Sequence, residues 1–489
     1  MTTTSAPTSA PTSAPTSAPT SAPTSTPEQD APAQHGLDGA HWRGRLESLI
    51  ATHHIPGASL AIGTPHGTVD AAAGVLNLRT GAPATADSVF QIGSISKVWT
   101  ATQIMQLVDE GKLTLETRAV DVLPELSLAD EGADQITVQH LLTHTSGIDG
   151  DFFVDTGRGD DCIEKYVTRL AEVGLNHPVG ATFSYCNAGF ALMGRMIEVL
   201  TGKQWDTALR DSIVTPLGLQ ATVTLPEEVI LHGGAIGHVG KPGEIPTPTT
   251  TLLLPRNMGP AGLISARPAD VVAFAAMHLA GGVAPDGTRL LSEESVDAMR
   301  QQLVEVPDRG AMKAWGLGWI HLAWGDSGVF GHDGNTIGQA AFLRIHPGSG
   351  TIVCLLTNGG DASKAAQTLF TEVFADLADV QVPPTPVPPA EPPAVDFEQY
   401  VGLYKRASVD SEVALVDGAL RMKVTATGVM AELEEEPTEI ELTPLADDGR
   451  FLGRIAGDTV WMAVTFYSLA DGSRYVHYGV RATPLLAAR

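Results

Sequence analysis

The chain has 489 residues, 43% of them hydrophobic, enough to bury a sizeable core and long for a single one. Its formal net charge of -26 repels phosphate backbones and anionic lipid, which argues against nucleic acid and membrane surfaces as partners. The three cysteines, Cys162, Cys186 and Cys354, are too few and too scattered for a disulfide framework or a zinc site, and they fit a reduced compartment.

The N-terminal Met1-Thr2-Thr3-Thr4 lacks the basic segment and apolar stretch of a secretory signal. No apolar run approaches the roughly 18 residues that a spanning helix needs. A cytoplasmic location is therefore expected, on the condition that the start site is correct. Residues 5–24 repeat Ser-Ala-Pro-Thr five times. A tract with so many prolines and so little apolar surface is expected to leave residues 1–35 as a disordered tail.

Residues 41–53 carry the spacing of an amphipathic helix, followed by strand-like runs at 58–62 and 69–75. Apolar residues then recur at Val98, Ala101, Met105 and Val108, which predicts a helix from about Ser94 to Gly111. Near residue 339 the pattern returns to strands. Gln339–His346, the turn Pro347-Gly348-Ser349-Gly350 and Thr351–Thr357 form a hairpin signal, and residues 365–377 read as a closing helix. Strands at both ends with helices between them predict an α+β domain over residues 36–380, with an antiparallel sheet that gathers both ends. Seven prolines between 383 and 393 make residues 381–395 a stiff, extended linker. Residues 396–489 alternate polar and apolar at 413–416, 420–424, 460–467 and 474–480, with Asp417-Gly418 and Asp471-Gly472 at turns, so an all-β domain is expected there.

Three short stretches carry chemistry. Ser94 and Lys97 are three residues apart at the start of the predicted helix, so they share a face. Free N–H groups and the dipole at that helix end suit a developing oxyanion, and a buried lysine that loses its charge can serve as a base. Tyr185-Cys186-Asn187 falls at an expected tight turn before a helix near Phe190. There a tyrosine can exchange a proton if a neighbouring lysine lowers its pKa, and Asn187 offers both donors and acceptors. His332-Asp333-Gly334-Asn335 precedes a strand. Gly334 would let a substrate backbone approach, and the N–H of Asn335 would be a second oxyanion donor. Each stretch alone is compatible with a plain structural role: an N-cap, a packed aromatic turn and a glycine-rich loop.

Together, in this order, the stretches resemble the motifs of the serine β-lactamase and penicillin-binding-protein superfamily, with class C β-lactamases, D-Ala-D-Ala carboxypeptidases, D-aminopeptidases and family VIII esterases as kin. Those motifs are Ser-x-x-Lys, Tyr-x-Asn, and Lys-Thr-Gly or a His-x-Gly variant, here at Ser94/Lys97, Tyr185/Asn187 and His332/Gly334. The stretches Ile136–Ile148, Gly262-Leu263-Ile264-Ser265 and Trp315-Gly316-Leu317-Gly318-Trp319 are similar as well, so the resemblance covers about residues 40–378. It implies a β-lactamase/transpeptidase-like sheet with a helical region, and it makes residues 396–489 similar to the lipocalin-like β-domain often appended to this family.

The resemblance implies acyl transfer without metal or organic cofactor. Ser94 is the nucleophile, Lys97 and Tyr185 relay its proton, Asn187, His332 and Gly334 shape substrate binding, and the Ser94 and Asn335 amides hold the oxyanion. His144 is expected to pack around the site and not to act as a base. One departure is His332, where β-lactamases carry a lysine whose fixed charge helps to bind the substrate carboxylate. A histidine is mostly neutral at pH 7, which favours esters, amides or D-amino-acid peptides in a small-molecule or short-peptide substrate. A D-Ala-D-Ala carboxypeptidase, a weak β-lactamase, an acyltransferase for a small metabolite and a catalytically silent binding protein remain as alternatives. The expected cytoplasmic location argues against a cell-wall substrate, and nothing in the sequence sets the oligomeric state.

Overall fold

The structure is a computed structural model that describes residues 36–487 except 242, 253, 429, 430, 432–435, 457 and 459. The expected disordered tail, residues 1–35, lies outside the described residues.

A nine-stranded antiparallel sheet forms the centre of the larger part. Its strands run in the order Ala82–Pro83, Gly67–Asn77, Gly57–Thr64, Thr351–Thr357, Gln339–His346, Phe330–Thr336, Ile320–Leu322, Met312–Trp315 and Val304–Glu305. The first long strand lies directly beside the last, with Leu60 opposite Leu355, so both ends of this part meet in mid-sheet as the sequence predicts. Side chains alternate between two cores. Leu60, Ile62, Phe342, Val353 and Leu355 face one, whereas Ala61, Leu343, Ile345, Cys354 and Leu356 face the other. The helices Gly39–Thr52 and Ala362–Ala378 cover the first face with Trp42, Leu46, Phe370 and Phe374. The second face packs against a helical region that includes Ser96–Asp109, Asn187–Thr201 and Pro268–Leu279.

Ser96–Asp109 runs through the middle of that region. Eleven of its fourteen residues are buried, so no polar face is left for solvent and its polar side chains need internal partners. Thr100 Oγ1 donates to the Pro260 carbonyl at 2.8 Å, and Thr102 Oγ1 donates to the Val98 carbonyl at 2.8 Å. Trp99 stacks on Phe274 with centroids 4.0 Å apart, which ties the helix to Pro268–Leu279.

Residues 402–487 close into an eight-stranded antiparallel barrel, filled by Tyr404, Val413, Met422, Ile440, Phe451, Val464 and Phe466. Asp417 and Gly418 both take left-handed φ, 52° and 81°, as a two-residue hairpin turn requires. The segment before the barrel carries no helix or strand between Asp379 and Asp396. It starts docked on the sheet, with Val380 and Val382 buried in the first core. Among the described residues, no helix is long and apolar enough to cross a membrane.

Candidate active site

Residues 93–95 form one tight 3-10 turn, and the α-helix begins at Ser96, two residues later than the spacing suggested. Ser94 sits on that turn, partly exposed between buried neighbours. Two glycines make the arrangement possible. Gly93 has φ of 50°, and a Cβ on it would lie 2.7 Å from the Asn335 nitrogen. A Cβ on Gly334 would lie 1.9 Å from the Ile92 carbonyl oxygen and 2.9 Å from the Ser94 nitrogen. The strand Phe330–Thr336 is thus pressed backbone to backbone against the serine turn, which brings the amides of Ser94 and Asn335 to one place.

Lys97 is fully buried one turn below Ser94. Its Nζ lies 3.1 Å from Ser94 Oγ, 2.7 Å from Asn187 Oδ1 and 2.7 Å from the Ala261 carbonyl oxygen. Burial pushes its pKa well below the usual amine value, with the Arg481 guanidinium adding to the effect and Asp151 opposing it. In its neutral form, which this lowering favours, the amine has two N–H groups and one lone pair. The Ala261 carbonyl can only accept, and the Asn187 amide presents its oxygen. When those two take the N–H groups of the neutral form, its lone pair is the one that faces the Ser94 hydroxyl.

Tyr185 and Asn187 do not sit together in a turn as expected. Asn187 is the first residue of the helix Asn187–Thr201, and Cys186 is its N-cap, with Sγ accepting from the Gly189 amide at 3.2 Å. The reason is local: the Cys186 backbone is extended, and its thiol takes the capping place usually held by Ser or Asp. The Tyr185 hydroxyl is close enough to Ser94 to interact with it, and Lys97 Nζ lies 4.8 Å from the Tyr185 ring centroid. A lowered tyrosine pKa is not what this site produces. Burial outweighs the Ser94 interaction and the Arg481 charge, so the phenol is pushed up and keeps its proton.

His332 is buried, and its Nδ1 lies 2.6 Å from the Asp333 carbonyl oxygen, which fixes the proton on Nδ1. Its Nε2 has no hydrogen-bond partner among the described residues. Burial, then the Lys97 charge, lowers its pKa to about 3, so the ring is neutral. His144 lies under the site. Its ring stacks on Tyr185 at 4.3 Å, and its Nδ1 accepts the Cys186 amide at 2.9 Å. Trp315 packs edge-on to Tyr185, His144 and His332 at 5.7, 4.8 and 5.4 Å. The family-like stretches are therefore props: Gly262–Ser265 binds the serine helix through the Ile264 amide and Ser96 Oγ at 3.1 Å, and His144 and Trp315 wedge Tyr185.

These side chains line a cleft of about 1040 Å³, with Ser94, Tyr185, Asn187, His332 and Asn335 on its walls. Among the described residues, no three His, Cys, Asp or Glu side chains converge as a metal site.

The sequence reading missed one wall. Val480 and Arg481, from a barrel hairpin, also line the cleft. The Tyr185 amide donates to the Val480 carbonyl at 2.9 Å. Arg481 grips Asp151 at 2.7 and 2.8 Å, and Asp151 Oδ1 accepts from Asn187 Nδ2 at 3.1 Å. Burial alone would raise the Asp151 pKa, yet Arg481 and Arg406 bring it to about 2. Nothing local to residues 151 or 481 signals this pairing, because it spans 330 positions.

Comparison with known proteins places the chain in a family. The Beta-lactamase family matches residues 42–377. Penicillin-binding protein 4 of Amycolatopsis lactamdurans is 48% identical over 374 residues, 76% of this chain and 98% of that protein. The crystal structure of SurE superposes with a TM-score of 0.71 at 26% identity and covers 91% of this chain and 99% of its own, and SurE with D-Leu gives 0.68. The D-amino acid amidase from Ochrobactrum anthropi SV3, complexed with L-phenylalanine amide, gives 0.56 at 25% identity, over 65% of this chain and 90% of its own.

Proposed function

This chain belongs to the β-lactamase family of serine hydrolases, and on that premise we propose that it forms a Ser94 acyl-enzyme with esters, amides or peptides of D-amino acids. The observation that carries the reading is the setting of Lys97: its buried Nζ lies 3.1 Å from Ser94 Oγ and is held by Asn187 and Ala261. In its neutral form the amine is poised to take the serine proton.

Ser94 Oγ attacks the substrate carbonyl carbon while its proton moves to Lys97. The carbonyl oxygen becomes an oxyanion held by the Ser94 and Asn335 amides. As the bond to the leaving atom breaks, Tyr185 gives that atom its phenolic proton and is reprotonated from Lys97. Water, or an added amine or alcohol, then attacks the acyl carbon, and the reverse proton path frees Ser94. Asn187 and the neutral His332 face the bound substrate. His332 Nε2 can only accept, so it suits a substrate N–H and offers no charge to a carboxylate. That supports amides and amino-acid esters over β-lactams, and the likeness to a D-amino acid amidase and to SurE with D-Leu supports the D-configuration.

The test is a panel of p-nitrophenyl esters, D- and L-amino-acid amides, D-Ala-D-Ala peptides and nitrocefin, run with wild type and Ser94→Ala. Ester hydrolysis and a D-over-L preference are expected, with slow nitrocefin turnover and no activity in Ser94→Ala. Nitrocefin turnover at the level of a true β-lactamase, or L-preference, overturns the substrate reading. Product analysis with added amines separates hydrolysis from acyl transfer.

A further inference from the structure

Behind Lys97, a line of contacts leaves the hydrolase part and ends in the barrel. Lys97 Nζ meets Asn187 Oδ1 at 2.7 Å, Asn187 Nδ2 meets Asp151 Oδ1 at 3.1 Å, and Arg481 holds both oxygens of Asp151. We propose that Arg481 is a positioning residue for proton transfer: by clamping Asp151 it fixes the Asn187 amide that orients Lys97, and it places a fixed positive charge beside the amine. This rests on the serine–lysine reading above.

The polarity of the Asn187 amide is the crux. Asp151 is ionised and can only accept, so the amide turns its NH2 to Asp151 and its oxygen to Lys97. If the amide turned over, its NH2 would occupy the lone pair that faces Ser94, and the base would be lost. A carboxylate gripped at two points by a guanidinium cannot rotate away from that task.

The barrel delivers Arg481 on a strained turn. Gly479 and Val480 link two paired strands with φ of 55° and 62°. A β-branched residue in the left-handed region is a genuine outlier, and such strain persists only where surrounding contacts enforce it. Here the Val480 carbonyl accepts the Tyr185 amide at 2.9 Å, and the Arg481 guanidinium sits 5.1 Å from the Tyr185 ring centroid. The arginine side chain is 22% exposed, and it lines the cleft.

Charge gives the second half of the effect. The groups around Lys97 are Arg481, Asp151, the Cys186 thiol, which burial pushes up to about 11, and the neutral rings of His144 and His332. Tyr185 keeps its proton, and Asp149 and Arg406 form the outer end of the cluster. Asp151 alone would favour the ammonium form of Lys97, and Arg481 offsets it. Arg406 also reaches Asp151, at 3.0 Å, from the other barrel hairpin, and it is not among the residues lining the cleft. It therefore serves as a control for barrel docking.

The experiment measures the pH dependence of Ser94 labelling by an alkyl fluorophosphonate, a probe with no carboxylate that Arg481 could bind directly. Wild type is expected to show an acidic limb as the Lys97 ammonium forms. In Arg481→Met the neutral amine appears only at higher pH, so the limb moves up by about one pH unit and labelling below it slows about tenfold. Arg481→Lys keeps the charge and loses the two-point grip, so its limb stays in place while its plateau rate falls. Arg406→Met leaves the limb where it is. Superimposed limbs for wild type and Arg481→Met, an equal shift in Arg406→Met, or a wild-type plateau in Arg481→Lys each overturn the proposal. If Arg481→Met does not fold, the plateau of Arg481→Lys decides alone. Wild type that is not labelled, or Ser94→Ala that is labelled as fast, overturns the serine reading instead, so the two failures are distinct.

Discussion

Ser94 and Lys97 are three residues apart, and Asp151 and Arg481 are 330 apart, yet all four belong to one line of contacts beside the cleft. The first wall is built by a single helix turn, where a spacing in sequence is a position in space. The second is built by the barrel hairpin end Tyr478–Arg481, set against the loop carrying Asp149 and Asp151, which the hairpin end Arg406–Val409 grips from outside the cleft. In the proposed mechanism the first wall supplies the nucleophile and base. The second supplies counter-charge and orientation, which no residue of the serine helix itself provides. The barrel is therefore part of the cleft wall, and along the seam the Tyr185 amide donates to the Val480 carbonyl, the Ala482 amide donates to Ser184 Oγ, and the Thr182 and Tyr467 hydroxyls pair.

The sharpest break between the walls comes from removing the nucleophile. Ser94→Ala is expected to lower kcat/KM by about 10⁴-fold or more while changing the melting temperature little, since buried Lys97 keeps its bonds to Asn187 and Ala261. On the barrel side the balance is reversed. Asp151→Ala leaves Arg481 and Arg406 near each other without their shared carboxylate, and thermal or urea unfolding is expected to show a loss of about 3–5 kcal/mol. An unchanged melting temperature would mean that the seam contributes little to holding the barrel.

Gly334→Ala tests the first wall without touching any polar side chain. A methyl group 1.9 Å from the Ile92 carbonyl must push the strand off the serine turn and separate the two oxyanion amides. A loss of about 10²-fold or more in kcat is expected, with KM changed less. Retained kcat would show that the Asn335 amide does not contact the oxyanion.

Acid separates the walls in a different way. The Asp151 pKa, about 2, lies below the ordinary value of 3.8, so its stabilising contribution is complete above 3.8 and is lost as the pH falls towards 2. Hydrogen exchange is expected to show loosening along residues 478–482 in that window, and Asp151→Ala abolishes the pH dependence. The smallest effect concerns His332. With its pKa near 3, it stays neutral above pH 5, so His332→Gln changes the rate a few-fold and leaves the shape of the pH profile between 5 and 8 unaltered. A limb near 6.5 that vanished in the variant would show that the ring titrates there.

Much of the first wall was legible. The hairpin 339–357 and the strands near 58–62 and 69–75 follow from period-two alternation, and the observed strands contain them. Ser94, Lys97, Tyr185, Asn187, His332, Gly334 and Asn335 were named from short motifs, and the fold brings them around one cleft. His144 was placed as packing, and its stacking on Tyr185 agrees. Boundaries were less legible: the Asn187 helix starts three residues early because a thiol caps it, which ordinary capping preferences do not anticipate. The direction of the Tyr185 pKa was misjudged as well, since a neighbouring lysine suggests a lowered value and only depth of burial reverses it.

By itself the sequence determined which local elements form and which residue types stand at fixed offsets within them, because helical and strand periods act over a few residues. Tertiary structure alone decided that Arg481 faces the cleft, that Asp151 meets the Asn187 amide, and that buried Lys97 is held between Ser94, Asn187 and Ala261. Those facts depend on burial and on charges brought together from opposite ends of the chain, and no local pattern encodes the distance between them.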